Sequence, residues 1–152
     1  MKPTRISTLV IIALVGAAAG WLLLRAVYTK LPPLPWTGVP ALLIAAVAEA
    51  WMGRDLKARI SGRRGLKPAA PLFVSRMVAL AKASSVAAAI IAGFAAGFDF
   101  YLAGSLNAST PREDALTAVI TFVSAVLLGC AALYLENSCR VPEDPDAPAP
   151  DH

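Results

Sequence analysis

Four long apolar runs, divided two and two by a strongly basic stretch, limit what this chain can become. The runs are Ile6–Leu24, Leu34–Met52, Ala83–Leu106 and Ala115–Leu135, and between the inner pair lie Arg54, Lys57, Arg59, Arg63, Arg64, Lys67 and Arg76. A helix rises about 1.5 Å per residue and the hydrocarbon core of a bilayer is about 30 Å thick, so each run is long enough to cross. The pattern predicts an all-α membrane protein, a four-transmembrane-helix bundle with spans at about 6–24, 34–53, 76–104 and 115–135. Residues 1–140 make up that domain, with a basic loop at 54–75, and the Pro-, Ala- and acid-rich tail 141–152 is expected to be disordered.

The chain has 152 residues, 57% of them hydrophobic and 16% charged, so four spans leave no room for a separate soluble enzyme domain. A net charge of +4 would suit nucleic acid, but the positive charge sits in one loop flanking apolar helices and no nucleic-acid module is present. There it serves topology, and Arg54, Lys57, Arg59, Arg63, Arg64 and Lys67 are expected to contact anionic lipids.

Lys and Arg near span ends stay on the cytoplasmic side. With the basic loop inside, Lys2, Arg5, Lys82 and Arg140 fall on or near the same side, and only Arg25, Lys30 and Arg112 face out. Both termini are then cytoplasmic. Trp21, Tyr28, Trp36 and Tyr101 fall at the outer ends, and Trp51 and Tyr134 at the inner ends, where amphipathic rings settle. Lys2 and Arg5 followed by Ala17-Ala18-Ala19 also fit a cleaved leader, but the apolar run continues through Leu24, which favours an uncleaved span.

Leu31-Pro32-Pro33-Leu34-Pro35-Trp36 favours an extended path into the second span. The third helix is expected to start near Leu72, before its apolar core. Ser109 or Thr110 before Pro111 reads as an N-cap, and Asn107-Ala108-Ser109 matches a glycosylation sequon.

Small residues recur at four-residue spacing: Gly16 and Gly20 in the first helix, Ser85, Ala89, Gly93 and Gly97 in the third, Thr117, Thr121, Ala125 and Gly129 in the fourth. Such stripes let helix backbones approach closely, within one chain or across a homodimer. Gly16–Trp21 and Gly93–Phe98 share a Gly-x-Ala-Ala-Gly-aromatic pattern, the mark of a parallel repeat or of Ala-rich composition.

Glu49 is the sharpest single residue, a carboxylate inside the second run where charge is costly. Lys82 lies at a comparable depth on the third helix. A Glu49–Lys82 ion pair would relieve both burials, and the rival reading is a proton- or cation-binding carboxylate. Asp99 reads as an interfacial charge near the outer end. Cys130 and Cys139 lie nine positions apart on one helix, about 13 Å of rise, too far for a disulfide. The single histidine is His152. No catalytic residues, metal ligands or cofactor-binding residues can be named, so the chain is expected not to be an enzyme.

Met1-Lys2-Pro3-Thr4-Arg5, Pro32-Pro33-Leu34-Pro35-Trp36, Leu80-Ala81-Lys82-Ala83-Ser84-Ser85 and Glu136-Asn137-Ser138-Cys139-Arg140-Val141-Pro142 together resemble an uncharacterised actinobacterial integral-membrane family, a domain of unknown function of the 3180 type. The resemblance runs from Met1 to about Pro142, implies the plasma membrane, and supplies no catalytic residues. The expectation is an accessory or scaffold subunit of a plasma-membrane complex, with the lipid bilayer and a membrane-protein partner or a second copy as its contacts. The alternative is a small transporter or channel, monomeric or homodimeric, that uses Glu49.

Overall fold

The computed structural model describes residues 4–27, 36–60, 71–103 and 109–139. They form four helices: α1, Ile6–Val27; α2, Gly38–Ile60; α3, Pro71–Leu102; and α4, Ser109–Ser138. Three stretches are apolar and long enough to cross a membrane, Ile6–Ala26, Leu72–Leu102 and Glu113–Ser138.

The second helix, expected as a fourth span, is not among these three. The sequence around Pro35 forces a turn at Trp36 and Thr37, so the helix starts only at Gly38. Its uncharged end is then closed by Arg54, and residues 38–53 make sixteen positions, about 24 Å, with Glu49 among them. This falls short of the roughly 20 apolar residues that a span needs. The basic loop also shrinks. Helix α2 runs on to Ile60 and α3 begins at Pro71, so Arg54, Lys57 and Arg59 stand on a helix rather than in a loop at 54–75. An Arg59 Nε to Asp55 Oδ2 bond of 2.8 Å, one turn apart, supports that extension. Arg63, Arg64, Lys67, the Asn107 sequon, Arg140 and the tail lie outside the described residues.

Extensive packing joins α1 to α3, α3 to α4, and α4 to α2, so the spatial order is α1–α3–α4–α2. Helices α3 and α4 form the middle, which agrees with the small side chains of α3. Ala88 meets Gly129 and Phe98 and Leu102 cluster with Ala118, so α3 and α4 run antiparallel. On the other flank, Ala46 meets Leu128 and Ala131, and Gly53 meets Tyr134 and Leu135, so α2 and α4 run parallel.

The α1–α3 seam is built from the two glycine pairs. A Cβ placed on Gly93 or Gly97 would strike the carbonyl oxygen of Ala13 or Ala17, and one on Gly20 would lie 2.8 Å from the Phe94 oxygen. Gly16 faces Ile90, Gly93 and Phe94. The two Gly-x-Ala-Ala-Gly-aromatic segments thus pack on each other, parallel and in register. Backbone meets backbone here because lipid gives helices little hydrophobic reason to associate, and close approach maximises dispersion. The pattern does not extend to a paired repeat, since α3 packs on α4 while α1 does not pack on α2 in the same way.

Elsewhere the molecule is apolar on the outside. Ile11, Leu14, Val15 and Leu22 of α1 and Val119, Ile120, Val123 and Leu127 of α4 are all exposed. For a soluble protein that surface would drive aggregation, whereas acyl chains solvate it.

A candidate polar site at the shared end of the helices

The residues of α2 that face the middle of the molecule follow a seven-residue repeat: Val39, Ala46, Gly53 at one position, Glu49 and Leu56 at the other, all buried. Glu49 therefore falls on the packed seam and not on the lipid face. It is 6% exposed. One apolar cluster, Ala46, Ala88, Leu128 and Ala131, lies on one side of its level. Another, Leu56, Ala81, Leu135 and Cys139, lies on the other.

Ser84 of α3 hydrogen-bonds the Glu49 carboxylate, and the second carboxylate oxygen, Oε2, is buried with no hydrogen-bond partner. Lys82 stands two positions earlier on α3, half-buried. The contact that ties Glu49 to α3 is thus a serine hydroxyl, one of those that the sequence leaves free to bond its own helix or to bridge to another. Its signal was present: Ser84 and Ser85 sit together in an Ala-rich helix. The two serines turn to different partners. Ser85 bonds the Lys82 carbonyl at 2.9 Å.

One to two turns further along, a second buried acid closes the end of the molecule. Glu136 of α4 is 7% exposed and accepts two hydrogen bonds from Thr4, from the backbone N–H at 2.9 Å and the hydroxyl at 2.5 Å. The Arg5 carbonyl accepts the first α1 bonds, from Thr8 at 3.0 Å and Leu9 at 3.4 Å. The carboxylate therefore sits against a helix N-terminus, where the backbone dipole favours negative charge. This bond holds the start of α1 and the end of α4 at the same end of the molecule. Cys139 is buried beside it, and burial first, then the charge of Glu136, pushes its thiol pKa up.

Four hydroxyls of α4 are satisfied locally. Thr117, Thr121, Ser124 and Ser138 each bond the carbonyl four residues back on α4. Asp99, on the last turns of α3, has a buried Oδ1 with no hydrogen-bond partner. Both cysteines are free, Cys130 exposed on α4. Among the described residues no three His, Cys, Asp or Glu side chains group as a metal site.

The geometry brings together three of the four segments that carry the sequence resemblance. Thr4 and Arg5, then Ala81 to Ser85, then Glu136 to Cys139 all meet at this end, while Trp36 begins α2 at the opposite end. The family model described as "Protein of unknown function (DUF3180)" matches residues 9–143. The chain belongs to the DUF3180 family. No curated protein and no solved structure matches it. In this DUF3180 chain Gly16, Gly20, Gly93 and Gly97 line the α1–α3 seam, and Glu49 of α2 and Lys82 of α3 stand toward the same end of the molecule.

Proposed function

We propose that this DUF3180 chain is a multi-pass plasma-membrane protein that acts as an accessory or scaffold subunit, without chemistry of its own. The observation that carries the reading is the use made of its buried acids. Glu136 is consumed in fastening α1 to α4, and Glu49 in fastening α2 to α3 through Ser84. Acids engaged in holding helices together are not free for acid–base work. The positive-inside bias supports placing the Thr4–Glu136 end, the basic segment and both termini in the cytoplasm. The apolar outer faces then meet lipid or a partner's helix.

In-cell crosslinking of a tagged copy, followed by mild solubilisation and mass spectrometry, tests this directly. Recovery of a stoichiometric partner is the expected result. Recovery of the chain alone, or of a self-crosslinked dimer, removes the accessory reading.

A second reading is favoured by one observation, the partnerless Oε2 of Glu49. Under it the chain is a small transporter or channel, and Glu49→Gln abolishes function while the protein accumulates normally. Under the accessory reading the same change lowers abundance or is silent.

A further inference from the structure

Opposite its packed seam, α2 carries a second stripe, Ile44, Val47, Trp51 and Arg54, all exposed. A hollow of about 590 Å³ lies along it, lined by Val47, Ala50, Trp51, Arg54, Asp55 and Ala58. A second, of about 300 Å³, lies on the other side of the Trp51 ring, against Ala48, Met52 and Asp55. One end of this surface is apolar and aromatic and the other is cationic.

Two further facts set what can fill it. Asp55 is engaged by Arg59 at 2.8 Å, and among the described residues no ion pair joins a carboxylate to Arg54. Among the described residues the Arg54 charge has no carboxylate to balance it. The second fact is length. Arg54 stands sixteen residues from Gly38, about 24 Å along the axis, against a hydrocarbon core of about 30 Å. With Trp36 and Gly38 at one interface, the Arg54 backbone falls a few ångströms short of the other. A guanidinium at that depth must reach outward, or the leaflet must thin toward it, and either brings a phosphate onto it.

We propose that the outer face of α2 is a binding site for one anionic phospholipid of the cytoplasmic leaflet. The headgroup phosphate pairs with Arg54, and an acyl chain lies along Trp51, Val47 and Ile44. Guanidinium suits this because its planar donors match phosphate oxygens two at a time. Lys57, exposed one turn on, adds charge to the same end. The inference rests on α2 lying in the membrane, and it assigns a defined site where the charge pattern alone implied diffuse attraction.

Trp51 is a built-in reporter. In a Trp21→Phe, Trp36→Phe background it is the only tryptophan in the chain. The full-length protein is reconstituted into phosphatidylcholine nanodiscs containing a fixed fraction of phosphatidylglycerol. Brominated acyl chains are placed on one lipid or the other. Brominated phosphatidylglycerol should quench Trp51 as though enriched about fivefold beside it, the effect of one cationic side chain at the surface. Arg54→Gln should abolish that preference while leaving quenching by brominated phosphatidylcholine in place. Equal quenching by both lipids, or a preference that survives Arg54→Gln, overturns the site. Loss of the preference on adding millimolar inorganic phosphate overturns it in favour of a soluble anion. Absence of quenching by either lipid places α2 outside the bilayer and removes the membrane reading of that helix itself.

Discussion

Single residues decide how the polar end holds. Glu136 accepts two hydrogen bonds from Thr4 in a buried setting, so truncation leaves unpaired groups and is expected to cost about 1–3 kcal/mol. Thr4→Ala removes only the hydroxyl and should cost less than Glu136→Ala. Hydrogen exchange of the first turn of α1 in detergent micelles measures the difference, and unchanged protection in Glu136→Ala would contradict the fastening role. Ser84→Ala removes the hydroxyl bonded to Glu49 and should lower thermal stability by a comparable amount. Glu49→Gln should lower it less, because an amide still accepts from the serine. Cys139 provides a pH readout. Burial and the Glu136 charge both disfavour its thiolate, so the folded chain holds the thiol proton to higher pH than an ordinary cysteine does. Alkylation should be slow at neutral pH and accelerate only above the usual thiol range, and Glu136→Gln should move that onset down. An onset at the ordinary thiol pH in the intact protein would show Cys139 to be exposed.

At the scale of the helix, the seams are set by what a Cβ would meet. Gly93→Ala and Gly97→Ala place a methyl group against the carbonyls of Ala13 and Ala17, backbone atoms that cannot turn aside. Each is expected to cost about 1–3 kcal/mol, as overpacking does, and to loosen α1 first. Gly129→Ala meets only the Ala88 methyl, at 3.6 Å, and Gly38→Ala meets nothing within 4 Å, so both should be tolerated. Thermal unfolding of the four variants in one detergent gives the comparison. Equal stability across all four would mean that α1 and α3 do not pack as described. The stripes and their spacing were legible in the sequence, because four-residue periodicity of small residues needs no tertiary knowledge. Which stripe meets which was not. Gly16 and Gly20 could have faced a second copy, and only the packing pairs them with Gly93 and Gly97. Helix α2 starts at Gly38 for a local reason: the apolar run from Leu34 is interrupted by Pro35, which disfavours helix, so apolar length exceeds helical length.

For the molecule as a whole, the order α1–α3–α4–α2 leaves α1 and α2 as opposite flanks of a central antiparallel pair. Each flank is held by a seam and by one acid: α1 by glycines and Glu136, α2 by its heptad residues and Glu49. Placing the polar end in the cytoplasm predicts that single cysteines introduced at Ala58 and Arg76, in a chain lacking Cys130 and Cys139, react with membrane-impermeant maleimide only after cells are opened. A cysteine at Trp36 should react in intact cells. The opposite pattern would invert the molecule.

The sequence by itself determined the helical, apolar class of this protein, and the number of its helices, but not where each helix ends. Apolar length, charge at the boundaries and proline are one-dimensional properties, and the bilayer and the backbone read them directly. It also singled out Glu49, since a carboxylate in an apolar run is costly in any fold. The partners of the buried acids came only with tertiary structure. Ser84 lies 35 positions from Glu49, and Thr4 lies 132 from Glu136. No spacing rule reaches across such separations. A hydrogen bond forms wherever packing brings donor and acceptor within 3 Å or so, and packing is decided by all four helices together.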